Sequence, residues 1–338
     1  MEDKLNPLDM QRKTKKDGFL PHIGIDLMGS DTLPNEVVSF LLPSLSHLQN
    51  LAFFTLFGKP EYKPDLSAYP HITYHSSSES IEMEDHPLTA CRTKKDSSLA
   101  LGIDSLKEEK IDAFISMGNT GALLATARAK LKTLSGVTHP ALITSIPTAR
   151  GQVAVIDVGA GLEATSDHLI EFAAMGLAYQ KVQGIECPKV SLLNIGKEPL
   201  KGSKEVQKAY TTLKDLSQKY PYQFFLGNLE ARDVFAGETD VLVTGGFTGN
   251  VFLKTSEGMA QFILSHLSSF PESLAKKLDY SRYPGAALCG VRGIVIKCHG
   301  NAGPKALSSS ISSAIDWVKK DLLSHIEKEI LHFFSTFR

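Results

Sequence analysis

Short apolar runs rich in Val, Ile and Phe alternate along this chain with longer amphipathic stretches, and that alternation constrains the fold more than any other feature. A run of four to eight such residues ending in Gly, Asn or Asp reads as a buried strand. A stretch with apolar residues three and four apart reads as the helix that crosses between two strands. Strands are expected at 23–27, 51–57, 112–116, 141–146, 153–158, 189–195, 223–226, 241–244 and 294–297. Helices are expected at 98–110, 120–133, 167–182, 204–216, 250–267 and from 305 into the C-terminal region; Leu169, Phe172 and Met175 show the spacing. The implied fold class is α/β, a mostly parallel sheet flanked by helices in an αβα sandwich. Residues 60–70 and 270–284 read as loops, but no Ser/Gly linker or internal repeat divides the chain. Residues 1–20 are polar and read as a flexible N-terminal extension; 21–338 read as one α/β domain with room for two lobes.

Composition narrows the function classes. The chain has 338 residues, 42% of them hydrophobic, enough for a large core. Lys plus Arg number 36 against 37 Asp plus Glu, so no global field attracts nucleic acid or an anionic membrane, and any anion site must be local. Cys91, Cys187, Cys289 and Cys298 are widely spaced, without a Cys-x-x-Cys pair. That pattern fits a reducing cytoplasm better than a zinc site or a disulfide framework. No apolar stretch has spanning length.

Ligands of open α/β sheets collect at the carboxyl ends of strands, where helix N-termini offer free N–H groups. Seven such ends are polar here: 26–31, 117–121, 157–159, 194–197, 227–230, 245–250 and 297–300. One at a time, Gly and Asn at these places supply turns and caps. As a set, they outline an anion site. Asn250 is placed to cap a helix whose first turns carry Lys254, Thr255 and Ser256, giving donors, hydroxyls and a cation for a phosphate or a polarised carbonyl. The run Arg92-Thr93-Lys94-Lys95-Asp96-Ser97-Ser98 sets cations before a capped helix, although such runs are commonly solvated surface. His299 follows the strand ending at Lys297 and is a candidate base or phosphate ligand, since an imidazole ordinarily titrates near ~6.5. A purely structural histidine is the plain alternative.

Absences count as well. There is no Gly-x-Ser-x-Gly elbow, no Gly-x-x-x-x-Gly-Lys-Ser/Thr loop and no His-Glu-x-x-His, which argues against a hydrolase, a nucleotide kinase and a zinc enzyme. Gly159-Ala160-Gly161-Leu162-Glu163-Ala164 loosely matches a dinucleotide fingerprint, but the next strand ends in Asn194 rather than an acid. No cofactor and no metal are expected.

Several segments together resemble the bacterial phosphate acyltransferases. They are Ile25-Asp26-Leu27-Met28-Gly29-Ser30-Asp31, Lys94-Lys95-Asp96-Ser97-Ser98, Gly118-Asn119-Thr120-Gly121-Ala122-Leu123 and Leu193-Asn194-Ile195-Gly196. Further on come Gly227-Asn228-Leu229-Glu230-Ala231-Arg232-Asp233, Phe247-Thr248-Gly249-Asn250-Val251 with Lys254-Thr255-Ser256-Glu257-Gly258, and Ile296-Lys297-Cys298-His299-Gly300. The resemblance runs in order from about Ile23 to about Ile315. It implies a sandwich related to phosphotransacetylases and isopropylmalate dehydrogenases, a homodimer, and transfer of a fatty acyl group from acyl carrier protein to inorganic phosphate. The acyl phosphate would feed a membrane-bound glycerol-3-phosphate acyltransferase in phospholipid synthesis. Such an enzyme would be cytoplasmic, with a peripheral place at the membrane. The chain departs from the family pattern at Ser30, at Gly161 and in a short 270–279 connection, where the family carries a helical hairpin tied to dimer and membrane contact.

A thioester is already activated and its thiol, with an ordinary pKa of ~8.5, leaves readily. Phosphate can therefore attack directly, and the protein's task is positioning and charge stabilisation. The candidate catalytic residues are Lys254, His299, Asp26 and Asn250. The candidate substrate-binding residues are Lys94, Lys95, Ser97, Asn119, Thr120, Asn228, Arg232, Thr248, Gly249 and Lys297. Other readings are a phosphotransacetylase using acyl coenzyme A, a related metal- and nicotinamide-dependent dehydrogenase, and a non-catalytic scaffold binding carrier protein. The strand-end acids Asp26, Asp31 and Asp157 show no ligand cluster for the second of these.

Overall fold

The computed structural model describes residues 19–266, 271–272, 277–279, 283, 285–300 and 303–335. Residues 1–18 of the N-terminal extension, and 270 and 273–276 of the 270–279 connection, lie outside the described residues. The strands are β1 (His22–Asp26), β2 (Phe53–Gly58), β3 (Ile72–Ser76), β4 (Ala113–Ser116), β5 (Ala141–Thr148), β6 (Gly151–Ile156), β7 (Val190–Asn194), β8 (Phe225–Glu230), β9 (Val241–Val243), β10 (Ala286–Cys289) and β11 (Ile294–Lys297). They form one sheet in the order β3-β2-β1-β4-β11-β10-β5-β6-β9-β7-β8. The helices are α1 (Pro34–Ser46), α2 (Pro87–Thr93), α3 (Ser98–Lys107), α4 (Thr120–Lys130), α5 (Ser166–Val182), α6 (Lys204–Lys219), α7 (Gly246–His266), α8 (Pro304–Lys319) and α9 (Leu322–Ser335).

The sandwich follows from the two cores. One core joins the sheet to α1, α5, α6, α8 and α9; the other joins it to α3, α4 and α7. Ser97, Asn119, Thr165 and Ser203 each accept a backbone N–H at the start of α3, α4, α5 and α6. Each such cap stabilises its helix by about 1 kcal/mol.

Pairing is parallel within β3-β2-β1-β4-β11 and again within β6-β9-β7-β8, and antiparallel across β11-β10, β10-β5 and β5-β6. The two parallel blocks therefore run in opposite directions. The register brings their carboxyl ends together: Ile296 pairs with Ala287, Ala287 with Ile143, and Ile143 with Ile156. Ile156 ends β6 and Ile296 is one residue short of the end of β11, so the cleft between the blocks collects strand ends from both.

Four differences from the sequence reading have physical causes. The segment forming β10, Ala-Ala-Leu-Cys, has weak strand preference and becomes a strand by pairing on both sides. Prolines at the start and inside α1 hide that helix from propensity. Strand β8 runs on to Glu230 through Gly227 at φ +101, with a register shift opposite, so residues 227–230 are sheet rather than the expected turn. Helix α7 begins at Gly246, so Asn250 sits in its second turn and is not the expected cap.

Candidate active site

A cavity of ≈ 480 Å³ opens over the middle strands, between the loops that follow β4, β6 and β11 and the inner face of α7. Two glycines seat α7 there. A Cβ on Gly249 would lie 1.9 Å from the Asp157 carbonyl oxygen, and one on Gly246 would lie 2.2 Å from that of Gly161. No other residue permits this approach. The helix consequently presents Asn250, Leu253, Lys254, Glu257 and Ala260 to the cavity.

Three side chains close into a ring at its mouth. Lys254 Nζ is 3.0 Å from His299 Nδ1 and 3.1 Å from Glu257 Oε2, and His299 Nε2 is 3.0 Å from Glu257 Oε1. An ammonium only donates, so His299 accepts at Nδ1 and carries its hydrogen on Nε2, which donates to Glu257. Burial pushes the Glu257 carboxyl upward, but its hydrogen bonds from His299 and Lys254 and the Lys254 charge hold it below the ordinary value. Lys297, also lining the cavity, donates to the Met117 and Cys298 carbonyls. Burial, helped by the nearby Lys254 charge, brings Lys297 down to about 8. Glu257 is the residue that sequence reasoning left out of the candidate set; its place three residues after Lys254, on one helix face, was the available signal.

The other candidates divide between this cavity and structural duties. Thr120 and Asn250 line the cavity. Gly249 is packed on Asp157, and Thr248 is exposed on the first turn of α7. Asn119 accepts from Ala122 N at the start of α4, while its amide donates to the carbonyls of Glu82, Met83 and Asp85. Lys94 bonds Asp85 at 2.5 Å and the Ser80 carbonyl at 2.9 Å, and Ser97 caps α3. Asn119 and Lys94 pin the loop carrying Met83, which does line the cavity. Lys95 is exposed and outside the lining.

Asp26 is enclosed, 1% exposed, and outside the cavity lining. It accepts from Ser98 Oγ (2.7 Å), Ser116 Oγ (2.8 Å) and Met28 N (3.0 Å), and burial raises it to about 6 against those bonds. Asn228 sits on β8 at the edge of the sheet, and Arg232 on the turn that follows it. Asn228 donates to the Glu198 carbonyl at 2.8 Å, and Arg232 pairs with Glu230 at 3.1 Å. Neither lines the cavity, although Phe235, on the same 3-10 turn as Arg232 (Ala231–Ala236), does.

The glycine loop after β6 has its own anion. Asp157 Oδ1 accepts from the N–H groups of Leu142, Gly159 and Ala160 at 2.8–3.0 Å, and Oδ2 accepts from Gly161 at 2.9 Å. A protein carboxylate thus fills the nest that a dinucleotide pyrophosphate would need. The departures from the family pattern are accommodated: Ser30 Oγ donates to the Thr32 carbonyl, and Gly161 has ordinary contacts around its Cβ position. Among the described residues, no three His, Cys, Asp or Glu side chains form a metal site.

A sandwich whose sheet reverses direction at a cleft with cationic side chains is of the phosphotransacetylase fold class. Phosphotransacetylase from Streptococcus pyogenes superposes with a TM-score of 0.61, covering 92% of this chain and 97% of its own at 14% identity. A 4-hydroxythreonine-4-phosphate dehydrogenase from Klebsiella pneumoniae gives 0.53, covering 88% and 99% at 12% identity. At such identities the likeness is one of fold. Sequence is more specific: the family model described as "Fatty acid synthesis protein" matches residues 22–325. "Phosphate acyltransferase" of Chlamydia caviae is 44% identical over 312 residues, 90% of this chain and 97% of the relative. The chain belongs to this family of phosphate acyltransferases.

Proposed function

We propose that the protein transfers a fatty acyl group from the thioester of acyl carrier protein to inorganic phosphate, releasing the carrier thiol and an acyl phosphate. The observation that carries this reading is the Lys254, Glu257 and His299 ring, with Lys297 behind it, opening on a cavity that Leu142, Ile146, Val158 and Leu253 line on one side. A phosphate oxygen attacks the thioester carbonyl, a C–O bond forms, the C–S bond breaks and sulfur leaves as thiolate. Lys254 and Lys297 attract the phosphate and stabilise the charge developing on the carbonyl oxygen. The unprotonated Nδ1 of His299 is the basic nitrogen at the mouth, able to take a proton from a phosphate arriving as the monoanion once Lys254 has turned to the ligand. Asn250 and Thr120 add polar contacts from α7 and α4.

In this reading the acyl phosphate supplies phospholipid synthesis through a membrane-bound glycerol-3-phosphate acyltransferase, and the enzyme is a cytoplasmic homodimer at the membrane periphery. Support comes from four cysteines without disulfides and from an apolar outer stripe on α7, where Phe247, Val251, Met259 and Phe262 are all at least half exposed. Among the described residues no helix is long and apolar enough to cross a membrane. The deciding experiment incubates pure protein with palmitoyl carrier protein and labelled phosphate. Labelled acyl phosphate is expected. Turnover of acyl coenzyme A alone would place the enzyme with the phosphotransacetylases, and carrier binding without turnover would make it a scaffold.

A further inference from the structure

The polar ring occupies only part of the cavity. On α7, Leu253, Glu257 and Ala260 follow one another at spacings of four and three and so share the inner face, while the outer stripe looks to solvent. Opposite that face the sheet contributes Leu142 and Ile146 of β5, with Val158 from the loop after β6, all buried. The space between is kept open by small side chains. Ala260 on α7 and Ala306 on α8 both line it and are half-buried where a larger residue would fill it. A site with a charged mouth and a mostly aliphatic wall, with Thr144 between Leu142 and Ile146, is matched to a ligand with a polar reacting head and a hydrocarbon tail.

We propose that the acyl chain of the donor lies under α7, with its carbonyl at Lys254 and His299 and its tail between Leu253 and the Leu142, Ile146 and Val158 wall, and that Ala260 and Ala306 set the chain length accepted. This assignment rests on the acyl-transfer reading above and names the occupant of the apolar half of the same site. Ala306 also packs against the core that joins the sheet to α1, α5, α6 and α9, whereas Ala260 belongs to neither core.

The test compares Ala260→Phe and Ala306→Leu with the parent on butyryl and palmitoyl thioesters of the same carrier, reading phosphate-dependent thiol release. Each methylene kept out of the groove costs roughly fourfold in binding, so the palmitoyl rate is expected to fall about tenfold or more while the butyryl rate stays within about twofold. The ratio of the two rates is measured on one preparation, so partial unfolding of a variant cancels. An Ala260→Ser control, which adds little volume, should keep the parent's ratio. Equal losses on both donors, or an unchanged ratio in both bulky variants, would overturn the groove and leave phosphate transfer standing. A parent that releases no thiol from either donor in response to phosphate would overturn the acyl-transfer reading and the groove with it.

Discussion

Asp26 and Asp157 stand at the carboxyl ends of two oppositely directed strands and are equally buried, each 1% exposed, yet the chain holds them in different ways. Asp26 takes two serine hydroxyls and one backbone N–H; Asp157 takes four backbone N–H groups. A hydroxyl can exchange donor and acceptor roles, whereas a backbone N–H cannot. Asp26 thus sits in an adaptable cage, and burial raises it to about 6. Asp157 sits in a fixed nest whose walls are also the landing site of α7, the helix that carries Lys254, Glu257 and the groove. The two ends of the cleft are thereby built on different principles: one tolerates a change of charge, the other is locked by backbone geometry.

The largest effect should come from disturbing the lock itself. Gly249→Ala forces a Cβ against the Asp157 carbonyl and should cost about 3 kcal/mol or more of stability, read by denaturant unfolding, with activity lost as α7 lifts. An unchanged unfolding midpoint would show that α7 docks less tightly than the glycines imply. Next, Lys254→Ala should lower acyl phosphate formation about hundredfold with the unfolding midpoint unchanged. Equal phosphate-dependent thiol release from variant and parent would remove Lys254 from the site.

Asp157→Asn should cost about 2 kcal/mol of stability, because its amide would face the Gly161 N–H and the charge-assisted bonds would be lost. The smallest effect at neutral pH belongs to Asp26→Asn, within about 1 kcal/mol of the parent, since Ser116 can turn to accept from the new amide. Its signature is the pH dependence. The folded-state value of Asp26 is about 6 against an ordinary 3.8, so between them the native chain holds a proton that the unfolded chain has released. The stability contributed by this group is therefore full below the lower value and falls as pH rises to the upper one, by on the order of 3 kcal/mol. Relative to the parent, the Asn variant should gain stability between about pH 4 and about pH 6. Parallel curves for variant and parent would break the contrast between the two aspartates.

Much of the sheet was legible because its strands are apolar runs whose burial is written in composition. Strand 294–297 was placed to the residue, and α4 and α6 began where expected. Lys254, His299 and Lys297 were legible as site candidates because each lies at or after a polar strand end. Asp26, Asn119 and Ser97 looked equally polar, yet their side chains are spent on the strand ends and helix starts beside them. A sequence displays the polar atom but not its partner. Asn228 and Arg232 belong to a matching motif as well, yet β8 lies at the edge of the sheet and their side chains are spent on the Glu198 carbonyl and on Glu230.

By itself, then, the sequence determined the α/β class, the succession of most elements and, through its ordered motifs, the phosphate acyltransferase family, since these depend on local periodicity and on residue identity in order. Only the tertiary structure decided which strand ends meet, because the reversal at β10, β5 and β6 is set by pairing between segments far apart in the chain. It also decided that Glu257 closes a ring with Lys254 and His299, and that α7 rests on Asp157 through two glycines. The contacts to His299 and to Asp157 depend on distances of a few ångströms between residues widely separated in the chain, which no local pattern records.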